Sequence, residues 1–65
     1  MFDYMELKNQ MALQGIGFKA LSEKSGVNAD TLAKILNHGR IPTMVTIGKL
    51  AKALNVEPKA LMKEV

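Results

Sequence analysis

Between Asn28 and Thr43 the chain gathers a run of side chains that could bind rather than react: Asn28, Asp30, Thr31, Lys34, Asn37, His38, Arg40 and Thr43. They are hydrogen-bonding groups, cations and one carboxylate, the types that hold phosphate oxygens and read base edges. They are poor material for catalysis. His38 is the only His, the chain has 0 Cys, and no carboxylate pair is placed for acid–base work. His38 therefore has neither companion ligands for a metal nor a partner to make it a general base. At the end of a helix it favours the dipole instead. No glycine-rich loop has phosphate-binding spacing. An enzyme is not expected, nor is a cofactor, a metal or a small-molecule substrate.

The composition agrees with a binding module. At 65 residues the chain is one domain, residues 1–65, near the size where a single core barely suffices. A hydrophobic fraction of 48% suits a globular chain and is too high for a disordered one. With 0 Cys, helix packing must hold the fold without disulfides, which also suits a reducing compartment. The net charge of +3 and pI near 9.5 favour a polyanionic partner. No apolar run approaches the roughly 20 residues that span a bilayer. Asp3 and Glu6 stand where a signal peptide would be basic. The expectation is a soluble cytoplasmic domain without a membrane partner.

The elements that must position these residues are all helical. Tyr4, Leu7 and Met11 lie on one face of a first helix, from about Phe2 to Leu13, which Gly15 and Gly17 end. Residues 18–25 form a second helix with Leu21 inward. Asn28 caps a third, about 29–38, whose apolar stripe is Leu32, Ile35 and Leu36. Gly39 stops it and Pro42 prevents resumption. Thr43 caps a fourth helix with Met44, Ile47, Leu50, Ala51 and Leu54 at helical spacing, and Asn55 closes it in the left-handed region. Pro58 opens a last segment in which Ala60, Leu61 and Val65 are apolar. No alternating β-branched run occurs, so the class is all-α, a bundle of about five short helices.

The short second and third helices, separated only by the turn at Gly26, suggest one helix braced so that the next protrudes. Leu21, Val27, Leu32 and Ile35 can meet in one small core, and Ser22 allows close approach. Such a protruding helix fits the major groove of B-DNA, about 12 Å wide.

Over nearly its whole length, from "LKNQMALQGIGFKALSEKSGVNADTLAKILNHGRIP" through "TIGKLAKALNVEPKAL", the chain resembles the lambda repressor and Cro family of small helix-turn-helix regulators, the XRE type. The family's helix-turn-helix unit falls on residues 18–37. Its apolar positions fall on Leu21, Val27, Leu32 and Ile35, its small position on Ser22 and its turn glycine on Gly26. The resemblance implies a lambda repressor-like DNA-binding domain that binds double-stranded DNA as a homodimer, with residues 29–38 as recognition helix. The DNA-facing set it implies is Phe18, Lys19, Asn28, Ala29, Asp30, Thr31, Lys34, Asn37, His38, Arg40 and Thr43. Four positions depart from the family. Phe18 stands where Gln is common, Ala29 and Asp30 where Gln, Arg or Ser reach bases, and Leu36 where a glutamate often follows.

Several residues carry two readings. Asp30 either stabilises the helix dipole by roughly 0.3–1 kcal/mol or accepts from cytosine N4. Lys34 pairs with Asp30 or touches the DNA backbone. Thr31 is a solvated first-turn residue or a phosphate and thymine-methyl contact. Asn28 is a cap that can also touch a phosphate. Phe18 folds back toward Ile16 or offers an apolar contact to thymine or a protein. Lys49 and Lys52 are a solvated face. Met5, Met11, Met44 and Met62 are expected mostly to fill the core. Leu61, Met62 and Val65 are expected to supply part of a dimer contact. Two functions stand: a sequence-specific transcriptional regulator, and a protein-interaction module, such as an antirepressor, that keeps the fold without base readout.

Overall fold

Asp3 accepts a hydrogen bond from the Glu6 amide at 3.0 Å and so starts the first helix, α1 (Tyr4–Gln14). The computed structural model describes residues 1–63. Gly15, at φ 65°, ends α1, and α2 (Phe18–Ser25) follows within three residues. Gly26 turns the chain at φ 76°, a conformation that costs a residue with a Cβ dearly. Asn28 then caps α3 (Ala29–His38), and Thr43 caps α4 (Met44–Leu54). A 3₁₀ turn, Pro58–Leu61, completes the regular structure among the described residues. The bundle is thus four α-helices and one 3₁₀ turn rather than five α-helices. Four residues from Pro58 are too few for more than one turn of helix.

Phe2 does not belong to α1, as the periodicity suggested. It precedes the Asp3 cap and pairs with Met62 in an isolated antiparallel bridge, with the Asp3 amide donating to the Leu61 carbonyl at 2.7 Å. Phe2 is buried there, its ring edge-on to Tyr4 at 5.1 Å. The core joins Phe2, Leu7, Leu21, Val27, Leu32, Ile35, Ile47, Leu50, Ala51, Ala53, Leu54 and Leu61. α4 lies at its centre, packed on α2 and on the 3₁₀ turn, and α2 also packs on α3. The four apolar residues expected to join the second and third helices, Leu21, Val27, Leu32 and Ile35, are all buried together.

Three expectations about apolar residues fail. Met11 and Met62 pack against the core, but Met5 and Met44 are 68% and 77% exposed. Met5 lies on the side of α1 away from Leu7, and Met44, the first residue of α4, lies at the edge of that helix's buried face. Phe18 does not join the core beside Ile16; it opens α2 with 37% of its surface exposed. Leu61 is fully buried and cannot serve as a dimer contact, because the 3₁₀ turn folds it back onto α4. Ala60, beside it, is exposed, and Met62 is half-buried. Val65 lies outside the described residues. Among the described residues, no helix is long and apolar enough to cross a membrane.

Candidate nucleic-acid interface

α3 owes its position to polar groups at both of its ends. Asn28 Oδ1 accepts from the Asp30 amide at 2.8 Å, which leaves the neighbouring first-turn amides open. On the turn before it, the Ser22 hydroxyl donates to the Val27 carbonyl at 2.7 Å, and Ser25 Oγ accepts from the Val27 amide at 3.1 Å. These bonds fix the angle between α2 and α3. At the far end, Gly39 closes α3 at φ 66°, and the Tyr4 hydroxyl donates to the carbonyls of Gly39 (2.9 Å) and Arg40 (3.1 Å). α1 thereby grips the loop that carries Arg40.

With Leu32 and Ile35 turned into the core, α3 leaves Ala29, Asp30, Lys34, Asn37 and His38 exposed, and Thr31 half-buried. Asp30, Lys34 and Asn37 follow one another at helical spacing along the open side. Lys34 Nζ lies 3.1 Å from Asp30 Oδ2, so the intrahelical pair is formed. Both side chains are at least half exposed, which limits that pair to a small contribution. Arg40 is exposed in the following loop. Thr43, also exposed, accepts from the Thr46 amide at 3.2 Å and leaves the amides of Met44 and Val45 unclaimed at the start of α4. Lys19 and Phe18 are exposed at the start of α2. Among the described residues, Lys19 and Arg40 take part in no ion pair.

Two features were not visible in the residue types. Helical spacing places Tyr4 on an apolar face and says nothing of its hydroxyl. Ser22 is expected as a small residue, whereas its hydroxyl makes the bond across the turn; a Ser five residues before a turn carbonyl is the one local hint. The structure also brings Lys49 and Lys52 together with Lys24 and Ser25 around a surface hollow of about 420 Å³. The lining of that hollow shares no residue with the α3 side. Among the described residues, no group of three or more His, Cys, Asp or Glu side chains could hold a metal ion.

This geometry is a helix-turn-helix: α2 buttresses α3, whose outer side is polar and free. Comparison with known proteins agrees. The family model for the Cro/C1-type HTH DNA-binding domain matches residues 6–64. Among solved structures, the chain is similar to the restriction-modification controller protein C.AhdI from Aeromonas hydrophila. The two share 27% identity with a TM-score of 0.82, over 91% of this chain and 89% of that one. Comparison with curated proteins gave no match. The chain belongs to the Cro/C1-type helix-turn-helix DNA-binding family of transcription regulators.

Proposed function

We propose that the chain is a sequence-specific transcriptional regulator of the Cro/repressor type, acting in the cytoplasm as a homodimer on a two-part DNA site. The observation that carries this reading is the exposed polar side of α3, together with exposed Lys19 at the start of α2, Arg40 in the loop after α3 and Thr43 at the cap of α4. In it, α3 lies in the major groove. Asp30 and Thr31 face base edges, while Asn28, Lys34, Arg40 and the open amides after Thr43 meet phosphates. Phe18, Lys19 and Ala29 border the groove, and Asn37 and His38 approach the backbone where α3 ends. A single 65-residue module makes few contacts, which is the reason for two copies. The likeness to a controller protein supports regulation as the outcome of binding.

Exposed Phe18, and an Asp30 that already neutralises Lys34, favour the second reading, a protein-interaction module without base readout. Binding to a library of random duplexes separates the two. The regulator enriches a two-part sequence and loses affinity steeply as salt rises. A module that lacks readout enriches nothing.

A further inference from the structure

The hollow between the end of α2 and α4 gathers cations that the DNA reading does not use. Its lining is Lys24 and Ser25 from α2 and Lys49, Lys52 and Ala53 from α4, around a space of about 420 Å³. All three lysines are exposed, Ser25 is half-buried and Ala53 is buried. No carboxylate lines the hollow, and among the described residues none of the three lysines takes part in an ion pair. Helix dipoles account for only part of this gathering. Lys24 and Lys52 lie in the last turns of their helices, where a cation is favourable, but Lys49 lies in the middle of α4. Spacing alone put Lys49 and Lys52 on a solvated face; the packing of α2 on α4 brings Lys24 to them from a distant part of the chain.

We propose that this hollow docks an acidic segment of a partner protein, one that presents separate Asp or Glu side chains to Lys24, Lys49 and Lys52. Charge complementarity chooses the occupant. Three uncompensated cations around one hollow repel one another, and carboxylates relieve that repulsion. The duplex that α3 reads is a poor occupant, because the first turns of α2 and α4 are the ones set toward it. Lys24 stands about 9 Å along α2 from Phe18, and Lys49 about 9 Å along α4 from Thr43, at roughly 1.5 Å per residue. A compact phosphate is a poor occupant too. It binds best at helix N-termini, where amides point outward, whereas Lys24, Ser25, Lys52 and Ala53 belong to C-terminal turns whose carbonyls oppose it. Lysine ammoniums are point charges on flexible stems and suit carboxylates spaced along a chain. Lys49 and Lys52 are one turn apart on α4, about 5–6 Å between Cβ atoms, which matches carboxylates three or four residues apart on a partner helix. DNA and the acidic partner thus meet separate faces, and neither displaces the other.

The test uses the full chain without DNA, so that its result does not depend on the DNA-binding reading. Amide chemical shifts are followed by NMR as a short helical Ala/Glu peptide is added at low salt, with its Ala/Gln counterpart as control. The Glu peptide is expected to move the amides of residues 24–25 and 49–53, and the Gln peptide to move none. Lys24→Gln, Lys49→Gln and Lys52→Gln, at exposed positions, should keep the helical circular dichroism. Each should weaken peptide binding about two- to fivefold, the scale of one exposed ion pair. Lys8→Gln and Lys59→Gln lose the same charge at exposed positions elsewhere and should bind as the parent does. No response to the Glu peptide, shifts centred on α3 and Arg40 instead, or equal losses in the Lys8 and Lys59 variants would each overturn the proposal. So would tighter binding of inorganic tripolyphosphate than of the Glu peptide at these residues, which would mark a phosphate site. A second arm measures duplex DNA, for which the three variants should keep the parent's affinity; a loss there would assign the lysines to the duplex. A chain that binds the peptide but no duplex would leave this proposal standing and remove the regulator.

Discussion

The Tyr4 hydroxyl donates to the Gly39 carbonyl at 2.9 Å, across 35 residues of chain, and holds the end of α3 to α1. A net hydrogen bond contributes about 0.5–1.5 kcal/mol. Tyr4→Phe keeps the ring against Phe2 and removes only the bond. Its melting temperature is expected to fall by about 4–8 °C for each 1 kcal/mol lost. Affinity for DNA should fall with it, because the Arg40 carbonyl loses the same tether. Melts and binding isotherms of the one variant check both halves.

Gly26 sits at φ 76°, and a Cβ built there meets nothing within 4 Å. The penalty for a side chain is therefore conformational and not a clash. Gly26→Ala should cost about 1–2 kcal/mol, and Gly26→Val more, since a β-branched residue tolerates that region least. Thermal melts order the three proteins. Equal midpoints would mean that the turn is free to adopt another conformation.

Leu61 is fully buried under α4. Leu61→Ala should remove about 2–5 kcal/mol, the range for truncating a core leucine, a large share of a small domain's stability. Urea unfolding measures it. A loss below about 0.5 kcal/mol, the range of an exposed residue, would return Leu61 to the surface.

The Asp30–Lys34 pair makes the charge variants unequal. Lys34→Ala removes one cation and also leaves Asp30 uncompensated near phosphate, so it should weaken DNA binding at least as much as Arg40→Ala. Each should flatten the salt dependence by about one unit of slope. Asp30→Asn releases Lys34 and should tighten non-specific binding. If Asp30 reads cytosine, it also loses roughly 1–3 kcal/mol of discrimination at one base pair. Lys52→Ala, away from α3, should match the parent. Isotherms at several salt concentrations decide it, and four superimposable curves would remove DNA from the reading of these residues.

Much of the fold could be read before any coordinates because its punctuation is local. Asn28, Thr43, Gly26, Gly39 and Asn55 each satisfy the end of a helix within five residues, so the bounds of α2, α3 and α4 agree with the expected ones. Periodicity ranked Leu32, Ile35, Ile47 and Leu54 as inward, and they are. It erred at Met44 because spacing reports the face of a helix and not whether another helix covers that turn; Met5, expected in the core from its residue type alone, lies off the Tyr4–Leu7–Met11 face and is exposed. It erred at Leu61 for the opposite reason: an apolar residue near the end of a chain has no period to show that it folds back. The Tyr4 bond joins residues 35 apart, beyond any local pattern. For the candidate interface, residue type and helix spacing placed the Asp30–Lys34 pair. The roles toward bases belong to the facing surface of a partner, which the chain's own residues do not encode.

The strand-like pairing of Phe2 with Met62 has a further consequence. The Lys63 amide donates to the Met1 carbonyl at 2.6 Å, so positions 1 and 63 are already adjacent. The backbone is nearly a closed ring. A short linker between those positions would seal it with little loss of chain freedom in the folded state. New ends could then be opened at the exposed Gly17, just after Ile16, which packs against the core, giving a circular permutant with the same helices in a rotated order. For the same reason, segments appended at either position would leave the domain from one common point.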